Sequence, residues 1–260
     1  MNTMILFYAF VFGLIFGSFL NVCIYRIPRN QSIAWPPSAC PHCKKPIKWY
    51  DNIPLISYLI LWGKCRHCKG KISMRYPTVE LLTGILTLLT VWRFGMSVWT
   101  FVVVAAVYAL VILSAIDFEF MIIPDRFSLG LIAWGILFAW ANPNFSGLWW
   151  QKELISLGGA VTGLLGVLAL ALLGSWVFKK EAMGGGDVKL MAGVGALVGW
   201  QGVITTVVLA SFFGLIYAVV LMISHKKKRS DAIPFGPFLS LGALINLFYL
   251  IVPEMLLIEL

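Results

Sequence analysis

Charge is scarce in this chain. Of its 260 residues only 12% are Asp, Glu, Lys or Arg, and 60% are hydrophobic, whereas soluble domains carry about a quarter charged residues. That shortage excludes an ordinary soluble domain. Acidic residues are scarcest, eleven against twenty basic ones, for a net charge of +9. The excess does not signal nucleic acid, because no basic stripe lies on a soluble domain. The Lys and Arg sit instead in short segments between apolar runs, as in a protein facing anionic lipid. The first apolar run lacks a basic leader and an Ala-x-Ala-like site, so it is expected to be a retained span and not a cleaved signal peptide. No internal repeat, low-complexity tract or glycine-rich Rossmann loop is present.

Apolar runs make up most of the chain, at 4–25, 77–93, 97–116, 127–142, 155–178, 187–201, 203–224 and 233–258. Backbone polar groups cannot be left bare in hydrocarbon, so each run should be a helix. The expected fold is an all-α polytopic membrane protein with about eight transmembrane helices, each crossing needing roughly 20 residues. The runs at 127–142 and 187–201 are short, which allows bilayer thinning or a re-entrant start. With the N-terminus outside, the loops at 26–76, 117–126, 179–189 and 225–231 are cytoplasmic and hold every Lys and Arg except Arg93 and Lys152. The positive-inside rule selects that orientation, with both termini outside.

The chain thus divides into a first span over 1–26, a cytoplasmic insert over 27–76 and a membrane core over 77–260. The insert reads as the one soluble segment. It is too small to rest on a hydrophobic core alone. Four of the five cysteines lie in it, as Cys40-Pro-His-Cys43 and Cys65-Arg-His-Cys68. Two such knuckles complete a tetrahedral thiolate site, and zinc is the expected ion. Lys44, Lys45, Lys64, Arg66 and Lys69 would favour the thiolates. The competing readings are disulfides and a redox pair, and a reducing cytoplasm disfavours the first. Four protein ligands leave no place for water, so the metal would be structural. His42 and His67 lie inside the knuckles as rival ligands. Cys23, alone in the first span, reads as a small buried residue.

Carboxylates within a membrane are costly and therefore informative. Asp117 closes the third span. Asp187 follows Gly184, Gly185 and Gly186 and opens the sixth. The topology puts both at the cytoplasmic end, where two close carboxyls could activate water, one as base and one as acid. The three glycines would let a substrate backbone approach. The plainer alternative is that Asp187, like Asp125 after Pro124, merely starts a helix. Glu80 and Glu119 read as interface or helix-start charges.

Six segments then occur in one order: Gly17-Ser-Phe-Leu-Asn21 through Pro28; the paired cysteines around Trp49-Tyr-Asp51-Asn-Ile-Pro54; Arg75-Tyr-Pro77 through Glu80 to Gly84; Asp117 with Pro124-Asp125; Gly184-x-Gly186-Asp187; and Ile233-Pro-Phe-Gly236-Pro237. Together they resemble the type IV prepilin peptidases, from the first span to the last. The resemblance implies catalysis by Asp117 and Asp187, with Gly184, Gly185, Gly186 and Asp125 in support. It also implies removal of a short basic leader from prepilins or type II secretion pseudopilins, cleaving after a glycine at the cytoplasmic face of the bacterial inner membrane. Members with the cysteine domain often also N-methylate the new terminus using S-adenosylmethionine. The family's four cysteines map onto Cys40, Cys43, Cys65 and Cys68. Two rivals are a membrane methyltransferase without peptidase activity and a non-enzymatic transporter or scaffold.

Overall fold

The computed structural model describes residues 2–180, 183–224 and 233–255. The expected basic loop at 225–231 and the end of the eighth apolar run, 256–258, lie outside them. Among the described residues regular structure is helical, with two isolated β-bridges as the exceptions. The chain forms two compact units, residues 1–100 and 101–260.

The first unit holds α1 (Thr3–Arg26), α2 (Ile56–Ile60) and α3 (Arg75–Phe94). Helices α1 and α3 run antiparallel, with Gly13 against Gly84 and Thr87 and Gly17 against Glu80. The Asn21 amide donates to the Tyr76 carbonyl at 3.0 Å on the same seam. Thr83, Thr87 and Thr90 each return their hydroxyl to the carbonyl one turn earlier at 2.7 Å. The outer face of α1 exposes Phe7, Phe12 and Phe19, as a lipid-facing helix should.

The second unit contains α4 from Phe101 onward (Val98–Phe120), α5 (Asp125–Leu137), α6 (Trp149–Phe178), α7 (Gly185–Ile223) and α8 (Gly236–Phe248). Helix α7 has 39 residues, about 58 Å if straight, nearly twice the roughly 30 Å of hydrocarbon. It is not straight. Gly199 has φ +74° and ψ 177°, a conformation open to glycine and strained for anything else. Beyond it the chain folds back, so that the Val203 side chain meets Gly195; eight residues along a continuous helix would separate them by about 12 Å. The two runs expected to part between 201 and 203 therefore part at Gly199. The first arm is the core of the unit, buried without interruption from Leu190 to Gly199. Against it pack α6 and α5, and α8 packs on the second arm, where Asn246 bonds Thr205 and Thr206.

Among the described residues four helices are long and apolar enough to cross a membrane: α1, α4, α6 and α7. Helices α5 and α8, 13 residues each, span about 20 Å. Helix α8 is shorter than the run at 233–258 suggests. It ends at Phe248 because Tyr249 turns extended, Ile251 gives its N–H to the Asn246 side chain, and Pro253 has no N–H to continue a ladder.

Candidate functional site

The second unit brings Asp117 and Asp187 together. Asp117 lies in the last turn of α4 and is 5% exposed; Asp187 lies in the first turn of α7 and is 9% exposed. They are near enough for their charges to interact directly. Each carboxyl is held by the N–H of a glycine: Gly236 donates to Asp117 Oδ2 at 2.9 Å, and Gly184 to Asp187 Oδ2 at 3.3 Å. The Asp187 contact is a helix-capping one, from N3 back to the N-cap. The plainer reading of Asp187 is thus present in the geometry, alongside its burial beside a second carboxyl.

Local sequence explains the approach. Helix α4 stops at Phe120, Met121 takes φ +55°, and Pro124 starts α5 at Asp125. That turn carries Ile123 between two glycines. A methyl on Gly186 would sit 2.8 Å from Ile123 Cβ, and one on Gly236 would sit 2.8 Å from Asp117 Oδ2 and 3.2 Å from Ile123 Cδ1. The three consecutive glycines are therefore unlike. Gly186 is required by a neighbour, whereas among the described residues nothing crowds Gly185 and Gly184 meets the Asp187 carboxyl at 3.6 Å.

Asp125 is not in the buried pair. It starts α5, its side chain is 56% exposed, and both its oxygens accept from Lys189 Nζ at 2.8 and 2.9 Å. Because Lys189 lies two residues after Asp187, this contact pins the start of α5 to the start of α7. Gly236 and Ile123 are the site residues that sequence reasoning passed over. Gly236 stood within a recognised segment, and Pro237 behind it marked a helix start; neither pointed at Asp117.

In the first unit the four cysteines come together as free thiols. Two matching knuckles present them. Lys44 N–H bonds Cys40 O and Lys69 N–H bonds Cys65 O, and both lysines take φ +58°. The bridges Ala39–Pro46 and Lys64–Lys71 close the knuckles. All four sulfurs lie within 4.8 Å of one another, with Cys40 and Cys68 at 3.8 Å. A tetrahedron with metal–sulfur bonds of about 2.3 Å has edges of about 3.8 Å. The cluster fits a metal ion, and neither His42 nor His67 belongs to it. The N–H groups of Cys68 and His67 bring the Cys65 thiol down to about 7. For Cys68 the Gly70 N–H acts the same way, but desolvation and the neighbouring sulfurs outweigh it and leave that thiol at about 11. Crowded thiolates resist a second charge, which a bound cation would neutralise.

The segment between the knuckles ties them to α3. Asp51 accepts a bidentate pair from Arg66 at 2.6–3.0 Å, whose hydrogen bonds hold its carboxyl below the usual range. Leu55 N–H donates to Glu80 Oε2 at 2.9 Å. Glu80 is thus a buried anchor one and a half turns inside α3, not a helix-start charge. Cys23 is buried, as its sequence setting suggests.

Comparison with known proteins gives two family matches: residues 11–94 fit the bacterial peptidase A24 N-terminal domain and residues 104–219 fit the type IV leader peptidase family. The chain is 40% identical to the "Type 4 prepilin-like proteins leader peptide-processing enzyme" of Escherichia coli O78:H11, covering 92% of each chain. It is 36% identical to the "Prepilin leader peptidase/N-methyltransferase" of Stutzerimonas stutzeri, over 93% of this chain and 89% of the relative. The enzyme of the same name from Pseudomonas aeruginosa is 35% identical, over 91% and 88%. No solved structure matches.

Proposed function

The chain belongs to the type IV leader peptidase family, and from that premise we propose that it removes the basic leader of type IV prepilins or type II secretion pseudopilins and N-methylates the new terminus. It is an enzyme of the bacterial inner membrane. The peptidase reading rests on one observation above the others: two buried carboxyls, Asp117 and Asp187, near enough for their charges to interact and each bonded by a glycine N–H.

Two carboxyls so close do not both ionise cheaply. The ionised one takes a proton from water as the water oxygen attacks the scissile carbonyl carbon. The protonated one hydrogen-bonds the carbonyl oxygen and passes its proton to it. Collapse of the tetrahedral diol breaks the C–N bond, and a proton goes to the leaving amine. Gly236 and Gly184 keep the two acceptors aimed during these transfers. Gly185, which no other described residue crowds, is suited to the approach of a substrate backbone. Asp125 supports the site through Lys189 and takes no proton.

Cys40, Cys43, Cys65 and Cys68 would hold a zinc ion in a structural role, since four protein ligands leave no open position for water. Methyl transfer to an amine needs an activated methyl group, which S-adenosylmethionine supplies when bound. The described residues contain no strand–loop–helix unit, so a Rossmann-type cradle is not how this chain would hold it. The distribution of Lys and Arg supports a cytoplasmic location for the loops at 26–76, 117–126 and 179–189. Leader cleavage would be measured in detergent with folded, metal-loaded wild type, Asp117→Asn and Asp187→Asn. Wild type should release the leader and both variants should not; cleavage by either variant would sink the dyad. Both variants should still methylate a mature pilin.

A further inference from the structure

We propose that residues 55–62, helix α2 with the turn after it, form an apolar foot lying in the lipid interface, which holds the four-cysteine insert against the membrane surface. From sequence the whole insert reads as soluble; the structure ties part of it to the seam between α1 and α3. Leu55 is fixed to Glu80 by its N–H, and Glu80 is further bonded by the Ser18 side chain and packs on Gly17. Gly17 lies nine residues inward from Arg26 and Glu80 five inward from Arg75, about 13 Å and 7.5 Å along the two helices. At that level α1 and α3 point Phe19, Leu81 and Leu82 outward, all more than a third exposed. The chain at Leu55 is therefore level with lipid-facing side chains, at the roughly 5–10 Å depth of interfacial helices.

Beyond Leu55 the segment is apolar and uncovered. Leu59 is 70% exposed, Ile60 65% and Trp62 86%, with Ile56 beside them. The inner side of α2 is polar and satisfied: Ser57 accepts from Ile53 N–H and donates to the Tyr50 carbonyl, both at 2.9 Å. Lys48, Lys64 and Lys71 flank the patch in sequence, where anionic headgroups would meet them, and a tryptophan at the edge suits the membrane–water boundary. A partner protein is the weaker fit, because the patch begins between two helices whose outer faces are themselves made for lipid.

The full chain would be reconstituted in nanodiscs of phosphatidylethanolamine and phosphatidylglycerol containing a phospholipid with a diazirine in its upper acyl chain. After illumination, adducts would be mapped by peptide mass spectrometry. Residues 55–62 should be labelled as the Phe7–Phe19 face of α1 is, while residues 40–45 and 65–70 stay unlabelled. Leu59→Glu, at an exposed position, should lower the yield on 55–62 several-fold with α1 labelling and metal content unchanged. The proposal is overturned if 55–62 stay unlabelled beside a labelled α1, or if Leu59→Glu labels like wild type.

Discussion

Replacing Gly236 by alanine tests the site more sharply than removing either carboxylate, because it leaves both acids in place. The added methyl would sit 2.8 Å from Asp117 Oδ2 and 3.1 Å from its Cγ, with Ile123 Cδ1 at 3.2 Å on the other side. A contact of 2.8 Å is closer than a Cβ tolerates, so the carboxyl must turn and the 2.9 Å bond from Gly236 N–H must stretch or break. Hydrogen bonds to charged groups contribute about 1.5–3 kcal/mol. If that energy is lost from the transition state, leader cleavage should slow by about 10- to 150-fold, at 1.36 kcal/mol per tenfold. The assay is leader release in single turnover, with bound metal and methylation of a pre-cleaved pilin as controls for folding. Both controls should be unchanged. Cleavage at the wild-type rate would refute the idea that the Gly236 N–H orients Asp117.

The other glycines separate packing from substrate access. Gly186→Ala should impair cleavage as Gly236→Ala does, since Ile123 stands 2.8 Å away, whereas Gly185→Ala should leave thermal stability unchanged and raise KM alone. Gly199→Ala should cost about 1–3 kcal/mol of stability, the strain of a glycine-only conformation, read as a lower denaturation midpoint in detergent; an unchanged midpoint would count against the fold-back. Asp125→Asn breaks one exposed pair, worth about 0.2–1 kcal/mol, so it should slow cleavage far less than Asp117→Asn, and equal losses would overturn its supporting role. Purified protein should carry one zinc per chain, and cobalt exchanged for it should give the intense thiolate bands of a tetrahedral site. Cys65→Ser should abolish those bands; their persistence would mean that other ligands hold the metal.

The medium, the helical class and the four-cysteine cluster were legible in the residues themselves. Sixty per cent hydrophobic composition demands a membrane, and a membrane leaves helices as the way to satisfy an apolar chain's backbone. Two Cys-x-x-Cys turns need little beyond their own spacing to present paired sulfurs, which is why the sequence pointed to a four-cysteine cluster. Asp117 and Asp187 stood out because carboxylates are costly where they lie. Their neighbours did not. Apolar runs alone could not show that Gly199 breaks α7, since the break depends on a backbone angle and not on polarity. Nor could they show that Glu80 is a buried anchor, because its partner is a loop N–H. The Gly236 N–H reaches Asp117 across 119 residues of chain. Local pattern fixes what a segment prefers, but which backbone donor meets which carboxyl is decided by how helices pack, and only the folded unit contains that information.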